Sequence, residues 1–492
     1  MTGATLAYPP IIQGGMGVGV SNWVLARAVS RAGHLGVVSG TGIDNVFVRR
    51  LQDGDMGGHL RRAMDAFPLR ETVEDALSRY FRPDGRRAAE PYRTVPMYRK
   101  AVSATKDRLT MLASFAEVWL AREGHGGLVG LNLLTKVQMP NLATLYGAML
   151  AGVDYVLMGA GIPREIPQVL DRLAAGEPVA MRLEVAGAGS GSVHSLALDP
   201  SDHPVPGSRL RRPAFLPVVS SHSLAAVLAK KATGRVDGFI VEDPTAGGHN
   251  APPRGRATYN ERGEPLYGER DRVDLEAMRA LGLPFWLAGG CGTPEGYRRA
   301  REAGAAGIQV GSLFAYCDES GFSDEIKRAV RHRVFNGGVE VRTDAVASPT
   351  GFPFKVLQQE GTLSERTIYE ERDRVCDLGY LRVPYERDDG RIGYRCPAEP
   401  VEAYTGKGGD ASETRDRRCL CNALFSAIGQ GQIRRDGRAE PPLITSGDAV
   451  DGIRQLAPDS ETGYPARDVI RYLLGEDLGK RPAGQEGRSE SR

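Results

Sequence analysis

The sequence is poor in cysteine, in net charge and in long apolar runs. Six cysteines in 492 residues make no disulfide framework, so reduced thiols in a reducing compartment are expected. Lys and Arg number 63 against 61 for Asp and Glu, and a formal net charge of +2 supplies no field to draw nucleic acid or an anionic membrane surface. No apolar run is long enough to span a bilayer, and the opening "MTGATLAYPPIIQGGMG" has neither the basic start nor the apolar stretch of a signal peptide. A cytoplasmic location and a small-molecule partner are the expectations left. There is no internal repeat, and no low-complexity block apart from a polar tail from about Gly479.

What is present is 41% hydrophobic and 25% charged residues, the balance of a globular chain able to bury a sizeable core. Short apolar runs end in glycine and are followed by helical patterns. "PPIIQGGMG" leads into "SNWVLARAVSRAG", where Ser21 can cap, Val24, Leu25, Ala28 and Val29 share a face, and Gly33 stops the helix. "HLGVVSG" is the second strand. Others read at 127–134, 155–161, 179–185, 215–221, 238–243, 284–290 and 307–312, and "TPEGYRRAREAGA" is a helix capped by Thr293, with Pro294 first and Gly304 at its end.

Strands apolar on both faces that alternate with helices imply a parallel sheet covered by helices. Nine candidates exceed a barrel by one, so "VAMRLEV" is assigned to an insertion at about 179–212 that reads as loop. A second insertion, at about 43–126, carries a helix with Leu109, Leu112, Phe115, Ala116 and Leu120 at helical spacing. The expected fold class is α/β, a (β/α)8 TIM barrel over residues 1–355 with these insertions. A C-terminal extension with a hairpin and helices follows at 356–478, and a disordered tail at 479–492.

In such a barrel, function gathers at the carboxyl ends of the strands, and the last two loops commonly hold phosphate. "WLAGGCG" offers Gly289 and Gly290, and "IQVGS" offers Gly311 and the Ser312 hydroxyl, so backbone N–H groups can approach an anion closely. At the mouth of the first strand stand Gln13, Gly14, Gly15 and Met16, where a flat ring can lie against backbone, and Asn132 ends the third strand with an amide able to meet a ring edge. In "EDPTAGGHNAPPRG", Gly247 and Gly248 turn the chain over the same rim and place His249 there. An imidazole with an ordinary pKa near 6.5 suits a base or hydrogen-bond donor. His222 is the second candidate, and His125 is expected to bond its own backbone.

These residues carry a resemblance. "AGGHN", "WLAGGCGTPEG" and "GIQVGSLF", behind "IIQGGMG", resemble the nitronate monooxygenase family, formerly called 2-nitropropane dioxygenases, over about residues 9–45 and 127–355. The family motif ends in glycine where Ala251 stands here. The resemblance implies an FMN-dependent barrel in which His249 is the catalytic base, Gly289, Gly290, Gly311 and Ser312 hold the FMN phosphate, and Met16 and Asn132 flank the flavin. It implies oxidation of an alkyl nitronate with O2 to a carbonyl compound and nitrite. The family also includes enoyl reductases that use NAD(P)H and a carrier-bound thioester. That alternative brings an acyl carrier protein as partner, and large insertions with a long extension are more typical of it. An inactive flavin-binding partner protein is a third reading, and a homo-oligomer is left open.

In the extension, "YLRVPYERDDGRIGYRCP" reads as a hairpin turning at Asp389 and Gly390, which sets Cys396 opposite Val383 rather than Cys376 and argues against a disulfide between the two cysteines. Cys376, Cys396, Cys419 and Cys421 could form a four-thiolate metal site. Without paired Cys-x-x-Cys knuckles, reduced and partly buried thiols are the expectation, with no metal.

Overall fold

Eight apolar runs form the inner sheet, each buried because helices cover its outer face. The computed structural model describes residues 8–100, 104–189, 191–203 and 210–479. The strands are β1 (Ile11–Gln13), β2 (Gly36–Ser39), β3 (Val129–Leu134), β4 (Tyr155–Gly159), β5 (Ala214–Val219), β6 (Phe239–Glu242), β7 (Phe285–Ala288) and β8 (Gly307–Val310). Neighbours pair in parallel in the order β1-β8-β7-β6-β5-β4-β3-β2. A parallel bridge from Ile12 to Leu35 joins the two ends, with Gln13 N–H donating to Leu35 O at 3.0 Å and Leu35 N–H to Ile11 O at 3.1 Å. This is a (β/α)8 barrel, as the sequence implied.

Alternate side chains divide inside from outside. Ile12, Val37, Leu157, Leu216, Ile240 and Trp286 pack together within the barrel. Their neighbours Ile11, Val38, Val156, Phe215, Phe239 and Phe285 join the core under the helices. Trp286 is fully buried, and its indole N–H donates to Pro9 O at 2.7 Å, so the chain entering β1 closes the end remote from the strand carboxyl termini.

The first insertion is helical, with helices Ile43–Gln52, His59–Ala66, Arg70–Tyr80 and Ala104–Arg122. The last is buried on most sides because it lies between the helices Trp23–Arg31 and Asn141–Leu150. Buried Lys106 pairs with Asp44, whose carboxylate also accepts from Tyr380 OH, so insertion and extension meet in one polar knot.

Three local expectations are corrected. Helix Trp23–Arg31 is capped by Asn22, whose side chain accepts from Leu25 N–H, while Ser21 is turned to the β1 loop. "VAMRLEV" does contain a strand, Val179–Arg182, but it pairs antiparallel with Ser195–Leu198 outside the barrel, in a region expected to be loop. Both strands alternate buried and exposed residues, as a two-stranded flap laid on a surface must.

The extension hairpin, Val383–Glu386 with Ile392–Arg395, sets Arg395 rather than Cys396 opposite Val383. Arg387 N–H donates to Arg391 O at 2.9 Å, so three residues rather than two make the turn, with Gly390 at φ 73°. All six cysteines are free thiols. Cys376, Cys396, Cys419 and Cys421 gather around one small cavity, where burial pushes the Cys376, Cys396 and Cys421 thiols well up. Among the described residues no group of three or more His, Cys, Asp or Glu side chains is arranged to hold a metal ion. No described helix is long and apolar enough to cross a membrane. The tail expected from 479 lies, from residue 480 on, outside the described residues.

Candidate active site

The carboxyl ends of the strands open into one cavity enclosing about 1460 Å3 of atom-free space, counting the part open to solvent. Gly14, Gly15, Met16, Asn132, Gly247, Gly248, His249, Gly289, Gly290, Gly311 and Ser312 all line it. Gln13 does not. It is fully buried in the wall, where Nε2 donates to Ser21 Oγ at 2.7 Å and to Gly14 O, while Oε1 accepts from Val37 N–H at 2.9 Å. Ser21 Oγ in turn donates to Gly14 O and accepts from Met16 N–H, both at 2.8 Å. Gln13 and Ser21 therefore fix the course of Gly14–Met16 without reaching the cavity.

Gly15 and Gly289 are among the cavity glycines that are sterically required. A Cβ on Gly15 would lie 2.1 Å from Asn132 Cβ, and Asn132 Nδ2 donates to Gly15 O at 2.9 Å, so loop and amide interlock. Gly289 turns at φ 87°, and a Cβ there would stand 2.9 Å from Thr245 Oγ1. The helix that follows, Pro294–Glu302, is capped by Thr293 and begins with Pro294, as its sequence implied.

His249 is held by backbone pairing with Phe354: Asn250 N–H donates to Pro353 O and Lys355 N–H to Gly248 O, both at 2.9 Å. The loop glycines thus deliver the imidazole to a strand edge, which explains its place between breakers. The ring packs edge-on against Phe354, with centroids 4.7 Å apart, and Nε2 is hydrogen-bonded to Ser348 Oγ at 2.7 Å. Burial lowers its pKa to about 4, so the expectation of a base titrating near neutrality is corrected to an imidazole that is neutral across the physiological range. His222 opens the helix after β5 and does not line the cavity, whereas His125 bonds Ala121 O and Gly127 N–H of its own loop.

Sequence reasoning missed Glu242, Cys291, Ser348 and the segment Thr445–Gly447. Burial, reinforced by Asp243, pushes Glu242 up to about 8, and burial pushes the Cys291 thiol up to about 11. Among the described residues no Lys or Arg lines the cavity, so at neutral pH an anion would be met by backbone N–H groups and hydroxyls rather than by fixed cations.

The raised Glu242 value has a consequence for stability. Between its ordinary value and about 8 the folded chain keeps a proton that the unfolded chain releases, so stability falls as pH rises through this window. Glu242→Gln removes that loss. Urea melts of the purified protein are expected to show the variant level with wild type at pH 4 and more stable by on the order of 3 kcal/mol at pH 7. An equal difference at both pH values would refute the assignment.

Residues 172–349 match the family model for nitronate monooxygenase. The resemblance read from the motifs holds over that stretch. It contains His249, Gly289, Gly290, Gly311 and Ser312, and it stops before the extension. No curated protein matches the chain. Among solved structures, FabK from Thermotoga maritima is 16% identical, with 95% of this chain and 92% of that one covered and a TM-score of 0.48. A nitroalkane oxidase from Streptomyces ansochromogenes is also 16% identical, covering 95% of each chain at a TM-score of 0.47. The enoyl reductase domain of MlnA from the macrolactin cluster of Bacillus amyloliquefaciens is 14% identical, with 73% of this chain and 66% of that one covered at a TM-score of 0.37.

Proposed function

We propose that this chain is an FMN-dependent oxidoreductase of the nitronate monooxygenase type, converting alkyl nitronates with O2 to carbonyl compounds and nitrite. The observation that carries the proposal is a cavity with no Lys or Arg among its described lining residues, glycine-lined at the ends of β7 and β8, with a neutral imidazole on the same rim. The residues fit a flavin mononucleotide. Gly289, Gly290, Gly311 and Ser312 would hold its phosphate, while Gly14, Gly15, Met16 and Asn132 would receive its ring. When bound, the flavin supplies an electron acceptor that oxygen can regenerate.

The depressed pKa of His249 refines the substrate. A weakly basic ring is poorly suited to take a proton from a neutral nitroalkane but well suited to donate a hydrogen bond to a nitronate that arrives already ionised. Phe352 and Phe354 lie edge-on to the ring, with centroids 6.4 and 4.7 Å away. Gly247 and Gly248 provide the turn that carries the loop over the cavity.

The test is anaerobic. Purified protein is expected to show flavin absorbance that bleaches with an alkyl nitronate and not with NADPH. Bleaching by NADPH instead would favour enoyl reduction. Colourless protein that cannot take up added FMN would defeat both readings.

A further inference from the structure

The C-terminal extension returns to the barrel mouth at Ile444–Asp448 and is fastened there at several points. Leu357 N–H donates to Ile444 O at 2.9 Å, Gly248 N–H to Thr445 Oγ1 at 3.0 Å, and Asp448 N–H to Thr245 O at 3.1 Å. Lys355 Nζ reaches both Asp448 carboxylate oxygens at 2.8 Å. Between these anchors Gly447 N–H donates to Ser312 Oγ at 2.9 Å. Ser446, Gly447 and Ser312 line the same cavity as Gly289, Gly290 and Gly311.

A serine hydroxyl has one hydrogen to give and two lone pairs. Because Ser312 Oγ spends a lone pair on Gly447 N–H, its own hydrogen is left to turn toward the cavity. Ser446 is 4% exposed, and its Oγ lies beside the buried Tyr316 OH, neither hydroxyl having any other hydrogen-bond partner. Two facing hydroxyls share one hydrogen between them, so with Tyr316 OH donating, the Ser446 hydrogen still needs an acceptor. The two hydroxyls and the glycine backbone therefore line one cavity from two distant parts of the chain.

We propose that Ser446 and Gly447 of the extension complete the cup for the flavin phosphate, Ser446 donating to one phosphate oxygen and Gly447 orienting the Ser312 hydroxyl onto another. This rests on the FMN reading above. It makes Ser446 a binding residue and Gly447 a positioning residue, and it gives the extension a share in distinguishing FMN from riboflavin.

The test measures dissociation constants for FMN and riboflavin by flavin fluorescence quenching on the full-length apoprotein. Ser446→Ala is expected to weaken FMN about tenfold and to leave riboflavin within about twofold. Gly447→Ala would place a Cβ 2.9 Å from Ser312 Oγ and 2.9 Å from Thr245 O, so it too should cost FMN affinity. In a Ser312→Ala background that cost should shrink, because the positioned hydroxyl is gone and only the approach to Thr245 O remains.

Equal losses for both flavins, or no loss in either variant, would overturn the proposal. If Gly447→Ala does not fold, Ser446→Ala decides alone: the 31P resonance of bound FMN should shift in it, and an unmoved resonance with unchanged affinity refutes the contact. Wild-type protein that binds neither flavin would instead reject the FMN reading itself, and this proposal with it.

Discussion

Replacing His249 by alanine is expected to lower kcat/KM for an alkyl nitronate by roughly 10²- to 10³-fold, the range for losing one positioned acid–base or hydrogen-bonding group, while bound FMN stays at the wild-type level. The loop should survive, because it is held by main-chain bonds to Pro353 and Lys355 and not by the ring. Ser348→Ala, which frees the ring from its 2.7 Å partner, should cost less and act on kcat more than on flavin content. The pH profile separates this role from a neutral-range base. With the imidazole at about 4, the acid limb of kcat/KM should lie below pH 5, and a limb near 6.5 would contradict the burial argument. The same shift makes the wild-type fold lose stability as pH falls from about 6.5 toward 4, since the unfolded chain takes up a proton that the folded ring refuses. The alanine variant should lack that loss, which amounts to on the order of 3 kcal/mol. Full turnover by His249→Ala with normal flavin would remove the residue from the mechanism.

Gly15→Ala is expected to abolish stoichiometric flavin uptake. Its methyl would enter space held by Asn132, whose Cβ would be 2.1 Å away, and Val37 Cγ1 stands 3.0 Å off on the other side. Asn132 must then move, which breaks its bond to Gly15 O and deforms the loop that Gln13 and Ser21 hold in place. Overpacking of this kind costs about 1–3 kcal/mol, so the protein should still fold with a lowered melting temperature. The visible absorbance of the purified variant is the measure. A protein as yellow as wild type would show that the first loop is not part of the flavin site.

All eight barrel strands were legible because each is apolar on both faces and ends in a turn residue, the signature of a parallel sheet under helices. Errors arose where neighbours compete or where a count decides. Ser21 and Asn22 can both cap, and Ser21 is claimed by Gly14 and Met16. A hairpin turn longer by one residue moved Arg395 into the place read for Cys396. Gln13 stands at a strand end as a ligand would, but its amide is consumed inside the wall.

Candidate residues after β6, β7 and β8 could be placed because glycine and histidine interrupt apolar runs there. Thr445–Gly447 could not. Its partner Ser312 is 135 residues away, and "TSG" is indistinguishable from any polar loop. Ser348 and Glu242 escaped for a related reason: what marks them is desolvation, which only the assembled cavity creates.

The interlock between barrel and extension bears on how the molecule matures. Tyr464 OH donates to Leu313 O at 2.8 Å, and Ile444, Ile453, Val469 and Leu473 are set in the same core as the barrel strands. During translation the eight strands emerge well before these groups. A nascent barrel would therefore keep a gaping, half-walled mouth until the final helices dock against it.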